Sequence, residues 1–281
     1  MSHLPPRITA VPTLRATLQP FSAVVVTGGS SGIGKSFIGL IRSLRPDLPV
    51  GNLSRRDPQD FFRVEGSGKW EHFPCDLSDP AAVATSAEAV RRFLAGLPPG
   101  PVLLINNSGF GAFGCFPVDG LTRELGMIDV NVRALVQLTG LLLPDLRARG
   151  GVVLNVASVV AFLPTPYAAT YGATKAFVLH WTLALDEELR GTGLRALAAC
   201  PGTTRTEFFR EAGLGGQTPA ERLAMTSDDV ARIALGRIAG GGQVVTGWRN
   251  AVMTVLASRL PKPWSARLAG LALRRRAKGQ P

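Results

Sequence analysis

The sequence predicts a single α/β domain of three layers, α/β/α, with a parallel sheet doubly wound by helices on both faces. Three observations point there. Short apolar runs without polar alternation recur along the chain and read as strands buried on both sides. Segments with helical spacing of apolar residues stand between them. Of 281 residues, 46% are hydrophobic and 18% charged, which suffices for a sizeable core and argues against disorder.

Each element follows from its own pattern. Residues 22–29, SAVVVTGG, form a strand ending in glycines, and 33–45 a helix with Ile33, Phe37, Leu40, Ile41 and Leu44 on one side. A strand near 49–54 precedes a polar loop, 55–69. WEHFPCD, 70–76, reads as a third strand and 79–95 as a helix. PVLLINNSG, 101–109, is another buried strand, followed by a helix near 121–145 that stops at Pro144 or soon after. GVVLNVAS, 151–158, is the next strand, and 168–190 a long helix ending before Gly191. LRALAACPG, 194–202, is a strand broken by Pro201; 226–239 is a helix and 243–247 a last short strand. Residues 203–225, rich in Thr, Gly and Glu, interrupt the alternation and read as a lid insert. The domain reading is a loose N-terminal extension (1–20), a catalytic body (21–247) and a basic tail (248–281).

The net charge of +11 is local. Residues 230–281 carry ten Arg or Lys and no acid, whereas 1–229 are nearly neutral. The excess therefore belongs to the tail, and with no nucleic-acid motif present no such partner is expected. The three cysteines (Cys75, Cys115, Cys200) and three histidines (His3, His72, His180) lie far apart, so neither a disulfide framework nor a metal site is expected. No stretch reads as a membrane span, and residues 1–20 lack the apolar core of a secretory signal, with a mitochondrial-type presequence as the lesser alternative. The expected location is cytoplasmic, with peripheral membrane contact through the tail as the alternative.

The motifs converge on one edge of the sheet. TGGSSGIG, Thr27 to Gly34, places Gly28, Ser30, Ser31, Gly32, Ile33 and Gly34 between a strand and a helix. There backbone N–H groups can approach a pyrophosphate at the helix N-terminus. About twenty residues on, where an acid would favour the ribose diol of NAD, the chain has Ser54-Arg55-Arg56. A guanidinium suits a 2′-phosphate, so NADP(H) is preferred over NAD(H), although Asp57 stands next door. In Tyr171-Gly-Ala-Thr-Lys175 the i, i+4 spacing sets a phenol and an ammonium on one helical face. A phenol titrates at about 10, and a nearby cation is expected to lower that value into a useful range. Ser158 lies at the carboxyl end of a strand, where its hydroxyl could hold a substrate carbonyl. Asn106-Asn107-Ser108-Gly109 closes another strand at the same edge, and Asn131 sits mid-helix, where an amide is mildly unfavourable and suggests a polar task.

Together TGGSSGIG, Asp76-Leu77, NNSG, Asn131, Ser158, YGATK and Pro201-Gly202 resemble the short-chain dehydrogenase/reductase family over about 22–247. The resemblance implies a Rossmann-type domain, a nicotinamide cofactor and a Ser–Tyr–Lys mechanism. It makes Tyr171 the general acid in reduction, with Lys175 lowering its pKa and bonding the nicotinamide ribose. Ser158 would orient the carbonyl and Asn131 hold a water in a proton relay. Asp76 would sit by the adenine, Asn107 by the adenosine ribose, and Pro201, Gly202, Thr204 and Thr206 by the carboxamide, with Leu77 and Gly109 also among the cofactor-binding residues. Ser108 replaces the usual alanine of NNAG, and Thr203-Thr204 replace the more usual apolar residues after Pro-Gly. The segments 110–116 and 171–208 and the basic tail resemble the branch of bacterial reductases of broad or unassigned specificity, related to those acting on ketosteroids and long acyl ketones.

Phe110, Phe113, Phe116, Phe162, Phe208 and Phe209 are candidates to line an apolar pocket. His180 reads as a packing or subunit-contact residue, and Cys115 and Cys200 as small buried hydrophobes. The tail, 248–278, reads as a helix packed on the body or as one lying on an anionic membrane surface. The reading is thus hydride transfer between NADP(H) and a ketone or secondary alcohol, and the resemblance implies a homodimer or homotetramer. The alternatives are a membrane-associated lipid or long-acyl ketone reductase and a non-catalytic dinucleotide-binding regulator.

Overall fold

The computed structural model describes residues 11–58, 68–206 and 224–277. Seven parallel strands form the central sheet: β1 (Ala23–Thr27), β2 (Val50–Ser54), β3 (Trp70–Pro74), β4 (Val102–Asn106), β5 (Gly151–Val156), β6 (Leu194–Cys200) and β9 (Gly242–Val245). Their spatial order is β3-β2-β1-β4-β5-β6-β9. The chain walks outward from β1 to β3, then returns to place β4 on the other side of β1. That reversal opens a crevice at the carboxyl ends of β1 and β4, the place where sheets of this kind bind ligands.

The continuous apolar runs divide between two layers. Val24 and Val26 of β1 pack with Phe37, Ile38 and Ile41 of α2 (Gly32–Leu44) and with Ala231 and Ala234 of α7 (Ser227–Leu235). Ala23 and Val25 face the other layer, where α3 (Pro80–Ala95) and α5 (Ala134–Arg149) supply Val83, Val90, Leu138 and Leu142. The period of two in a strand thus serves two cores from one sequence run. The three-layer, single-domain expectation holds.

One polar thread crosses this apolar interior. Asn106 and Asn155 are cross-strand partners of β4 and β5, and Asn106 Nδ2 donates to Asn155 Oδ1 at 2.8 Å. Asn106 Nδ2 also reaches Thr139 Oγ1 at 3.0 Å, and Asn155 Nδ2 reaches Thr182 Oγ1 at 2.9 Å. The two threonines belong to α5 and to α6 (Ala169–Glu188), so the sheet is tied by side chains to both helices.

Four local expectations change. The reading of 1–20 as loose fails for α1 (Val11–Leu18), because Leu14 and Leu18, one turn apart, are fully buried in the core. The helix passes Pro144 and outruns the expected end near 145: α5 runs to Arg149. Proline removes the donor to the Gly140 carbonyl, but Gly140 is exposed to solvent, and buried Leu142 and Leu146 hold the helix on either side. α4 (Leu121–Ile128) joins α5 through a π-helical turn, Asp129–Arg133, making one helical run from Leu121 to Arg149. By length and composition that run could cross a bilayer, which the sequence reading did not single out; Leu135, Leu138, Leu142 and Leu146 bury its inner stripe in the core instead. The tail is two helices, α8 (Trp248–Arg259) and α9 (Lys262–Ala277).

The expected insert begins and ends on a short parallel pair, β7 (Thr204–Arg205) with β8 (Met225–Thr226). Residues 207–223, with Phe208 and Phe209, lie outside the described residues, as does Lys278 in the tail.

Candidate active site

The glycine loop is built by steric necessity. Gly28 and Gly32 have φ of +72° and +52°, a region closed to most side chains. A Cβ on Gly34 would run into the Gly28 carbonyl. Ser31, the N-cap of α2, is extended and makes no capping bond through its side chain, and the first turn of the helix carries no acid. The helix N-terminus therefore keeps its N–H groups for an anion. Asn52 holds the loop from β2, accepting from the Gly29 N–H at 3.0 Å and bonding through Nδ2 to Ser54 and His72. From β4, Asn107 Nδ2 donates to the Thr27 and Gly28 carbonyls at 3.0 and 3.2 Å.

This loop is one wall of a cleft of about 650 Å³. Gly28, Ser30, Ser31, Gly32 and Ile33 line it, as do Arg55, Arg56, Asp76 and Leu77. So do Asn107 and Gly109, and Ser158, Tyr171, Lys175, Pro201, Gly202, Thr204 and Thr206, the last standing close to Gly32. Of the residues singled out in the sequence, Gly34 and Asn131 stand behind the wall, Gly34 packed under the loop and Asn131 almost fully buried. Arg55 and Arg56 are exposed. Asp76 accepts two bonds from Ser78, which with the Arg55 charge keep its carboxyl below the usual range.

Ser158 ends β5 and caps the 3₁₀ turn Val159–Phe162, and Tyr171 and Lys175 sit one turn apart on α6. The Tyr171 phenol hydrogen-bonds to the Ser158 side chain. Lys175 Nζ donates to the Val156 carbonyl at 2.8 Å. Burial pushes the phenol up to about 12, with the Ser158 bond pulling the other way. Burial brings the Lys175 ammonium down to about 8. The expected lowering of the phenol by its lysine is thus overturned in the polypeptide: desolvation dominates, and the ammonium is engaged by a carbonyl. Buried Cys200 lies close enough to feel the Lys175 charge, yet burial raises its thiol to about 12.

Asn131 lies in the π turn. Its Oδ1 accepts from the Phe110 N–H at 3.1 Å, and its Nδ2 donates to the Phe110 carbonyl at 2.9 Å and to Thr174 Oγ1 at 3.0 Å. The wide turn re-aims one side chain out of the helical stripe, a device frequent at functional sites. Gly109 must be glycine here, since its Cβ would stand 2.9 Å from Asn131 Oδ1 and 3.2 Å from Lys175 Nζ.

A smaller cavity of about 240 Å³ adjoins Tyr171 and is lined by Ala112, Cys115, Phe116, Val118, Met127 and Tyr167, among others. Tyr167 has φ +64°, and its carbonyl accepts from Gly114 at 2.7 Å, which ties the 110–118 loop to the segment before Tyr171. Phe110 and Phe113 line the large cleft and Phe116 this cavity; Phe162 packs instead beside a core cluster. Cys115 is exposed rather than buried, because it sits on the outward turn of that loop, while Cys200 is buried as expected. His180 is exposed on α6, away from the lining of both cavities. Sequence reading missed Asn52, Thr174 and Leu273, the last reaching the cleft wall from α9. An isolated Asn inside an apolar strand was the available signal for Asn52; nothing in the sequence marked Leu273.

Fold and site define a class: a doubly wound sheet with a glycine loop at its switch point and a serine, a tyrosine and a lysine around one cleft. The family model for short chain dehydrogenase matches residues 22–215, and the chain belongs to that family of oxidoreductases. The serine 3-dehydrogenase of Rhizobium radiobacter is 31% identical over 219 residues, covering 74% of this chain and 84% of its own. A short-chain dehydrogenase from Sphingobium yanoikuyae, solved in complex with NADPH, is 27% identical, with TM-score 0.69 over 86% of this chain and 97% of its own. A 3-ketoacyl-(acyl-carrier-protein) reductase from Brucella melitensis, complexed with NADH, shares the fold at 23% identity, with TM-score 0.69 over 82% of this chain and 98% of its own.

Proposed function

We propose that the chain transfers hydride between NADP(H) and a ketone or secondary alcohol, with reduction of an apolar ketone as the favoured direction. The observation that carries this reading is the meeting of Ser158, Tyr171 and Lys175 on one cleft that the glycine cradle also lines. The cradle fits a dinucleotide: Gly28 and Gly32 hold the left-handed backbone the loop needs, and the uncapped start of α2 suits a pyrophosphate. Gly28, Ser30, Ser31, Gly32 and Ile33 would hold the phosphates, Asp76, Leu77, Asn107 and Gly109 the adenosine, and Pro201, Gly202, Thr204 and Thr206 the nicotinamide end. Arg55 and Arg56 would take a 2′-phosphate, in line with the NADPH held by the Sphingobium relative.

When bound, the nicotinamide supplies or accepts the hydride. The protein's own residues manage the oxygen. Tyr171 is protonated at neutral pH, the form needed to give a proton to a developing alkoxide at its Oη. Ser158 Oγ donates to the same oxygen and holds it in place. Lys175 brings buried positive charge one turn away, and Asn131 fixes the Phe110 backbone beside the cleft. The apolar cavity at Tyr171 would take one arm of the ketone.

Apolar Leu121, Leu125, Ile128, Leu141 and Phe177 stand exposed on α4, α5 and α6 and support a homo-oligomer formed through that face. Three unpaired cysteines support a reducing, cytoplasmic setting. The test is NADPH oxidation with a ketone panel, alongside Tyr171→Phe. Turnover by the parent and not by the variant supports the reading; equal turnover overturns the role of Tyr171, and no turnover with any ketone overturns the whole reading and leaves the dinucleotide-binding regulator.

A further inference from the structure

The helices α8 and α9 are inside out for a helix pair packed in water. Their inner side is small or polar: Thr254 and Ser265 are buried, and a Cβ on Gly270 would lie 3.6 Å from Pro166. Their outer side is apolar. Of the fifteen large apolar side chains exposed among the described residues, eight lie on these two helices and Leu260 on the turn between them. On α8 they include Trp248, Val252, Met253 and Leu256; on α9, Trp264, Leu268 and Leu271 follow at helical spacing. The pair is anchored, with Lys262 Nζ donating to the Phe162 carbonyl at 2.8 Å.

Charge says what covers this face. Arg249, Arg259, Arg267 and Arg274 are exposed on the same two helices, and no acidic residue follows Asp229. The Arg249 and Arg267 guanidinium carbons lie 5.4 and 5.9 Å from the ring centroids of Trp248 and Trp264. A second copy mated face to face would set cation on cation with no acid to pair. An anionic bilayer surface offers phosphates to the arginines and hydrocarbon to the leucines, with tryptophan at the boundary. We propose that α8 and α9 dock the protein peripherally on anionic lipid bilayers. The docked face borders the site, because Leu273, also on α9, lines the cleft. Docking itself stands apart from the hydride-transfer reading.

The experiment is sedimentation of the full chain with vesicles of phosphatidylcholine, with and without phosphatidylglycerol, at low and high salt. The chain is expected to bind the anionic vesicles and to be weakened by salt. W264S/L268S/L271S, all at exposed positions, should lose at least about tenfold in partition while its circular dichroism stays unchanged. R267E/R274E should lose the preference for anionic lipid. Absence of vesicle binding at low salt, or equal binding by the triple variant, overturns the proposal. So does light scattering in which the triple variant has half the mass of the parent and neither binds vesicles, since a second copy then covers the face.

Discussion

Asn131 grips the backbone of Phe110 at both ends with one side-chain amide, accepting from its N–H at 3.1 Å and donating to its carbonyl at 2.9 Å. The contact copies a sheet pair without a strand and fixes the loop that leaves β4. Asn131→Ala strands both Phe110 groups and Thr174. It is expected to cost about 1–3 kcal/mol, read as a lowered Tm, and to lower kcat more than it changes KM. A variant with the parental Tm would show that the grip carries no stability.

Tyr171→Phe removes the proposed proton donor and leaves the ring. Proton transfer contributes about 10²–10⁴-fold in enzymes, so kcat/KM for ketone reduction should fall within that range. Dinucleotide binding, followed by fluorescence titration, should stay within about twofold, because the phenolic oxygen is asked to act on the substrate.

Lys175 links stability to pH. The folded chain releases its proton near about 8, against an ordinary value of 10.5. Between those values the unfolded chain binds more protons, so stability rises with pH there. Below about 8 both states are charged and burial of the ammonium costs its full amount. Cys200 acts in the opposite sense above its ordinary value of 9.0, because the folded chain keeps its thiol protonated to about 12. The rise is therefore clearest from pH 8 to 9, at no more than about 1.4 kcal/mol. Urea midpoints should climb over this interval in the parent and stay flat in Lys175→Met; parallel slopes would remove the linkage.

Arg55 and Arg56 are exposed at the cleft, so replacing both by alanine should spare the fold. Losing charge-assisted bonds worth about 1.5–3 kcal/mol should raise the Kd for NADPH about tenfold to a hundredfold and leave NADH unchanged. Equal weakening of both dinucleotides would place the two arginines elsewhere in recognition.

Gly109→Ala sets a methyl against Asn131 Oδ1 and Lys175 Nζ at 2.9 and 3.2 Å. Both neighbours are buried and hydrogen-bonded, so neither gives way cheaply. A kcat loss of about tenfold or more is expected, with a smaller change in Tm than in Asn131→Ala. Parental kcat would mean that the wall yields.

Much of this site could be read in advance because its chemistry is local in sequence. The glycine loop, the Tyr171–Lys175 turn and Ser158 at a strand end each declare their geometry within a few residues. What stayed hidden depends on distant packing. Among the described side chains of α1, Leu14 and Leu18 are the buried pair, too few for a periodic signal. Pro144 argued for a helix end, and tertiary burial of Leu142 and Leu146 overrode it. The raised phenol was missed because spacing reports proximity, whereas desolvation depends on the whole cleft. Leu273 lies about one hundred residues from Tyr171 in the chain, and only the fold brings α9 to the wall.

The amide pair joining Asn106 and Asn155 has a consequence for how the chain finds its shape. Neighbouring strands here are nearly all valine, leucine, isoleucine and alanine, and such runs slide past one another with little to choose between alignments. One asparagine in each strand breaks that degeneracy. A slip of a single position would leave each amide in oil without its mate, a penalty no aliphatic contact repays. The pair acts as a latch that admits one alignment, and that alignment carries Asn107 and Ser158 to the same rim.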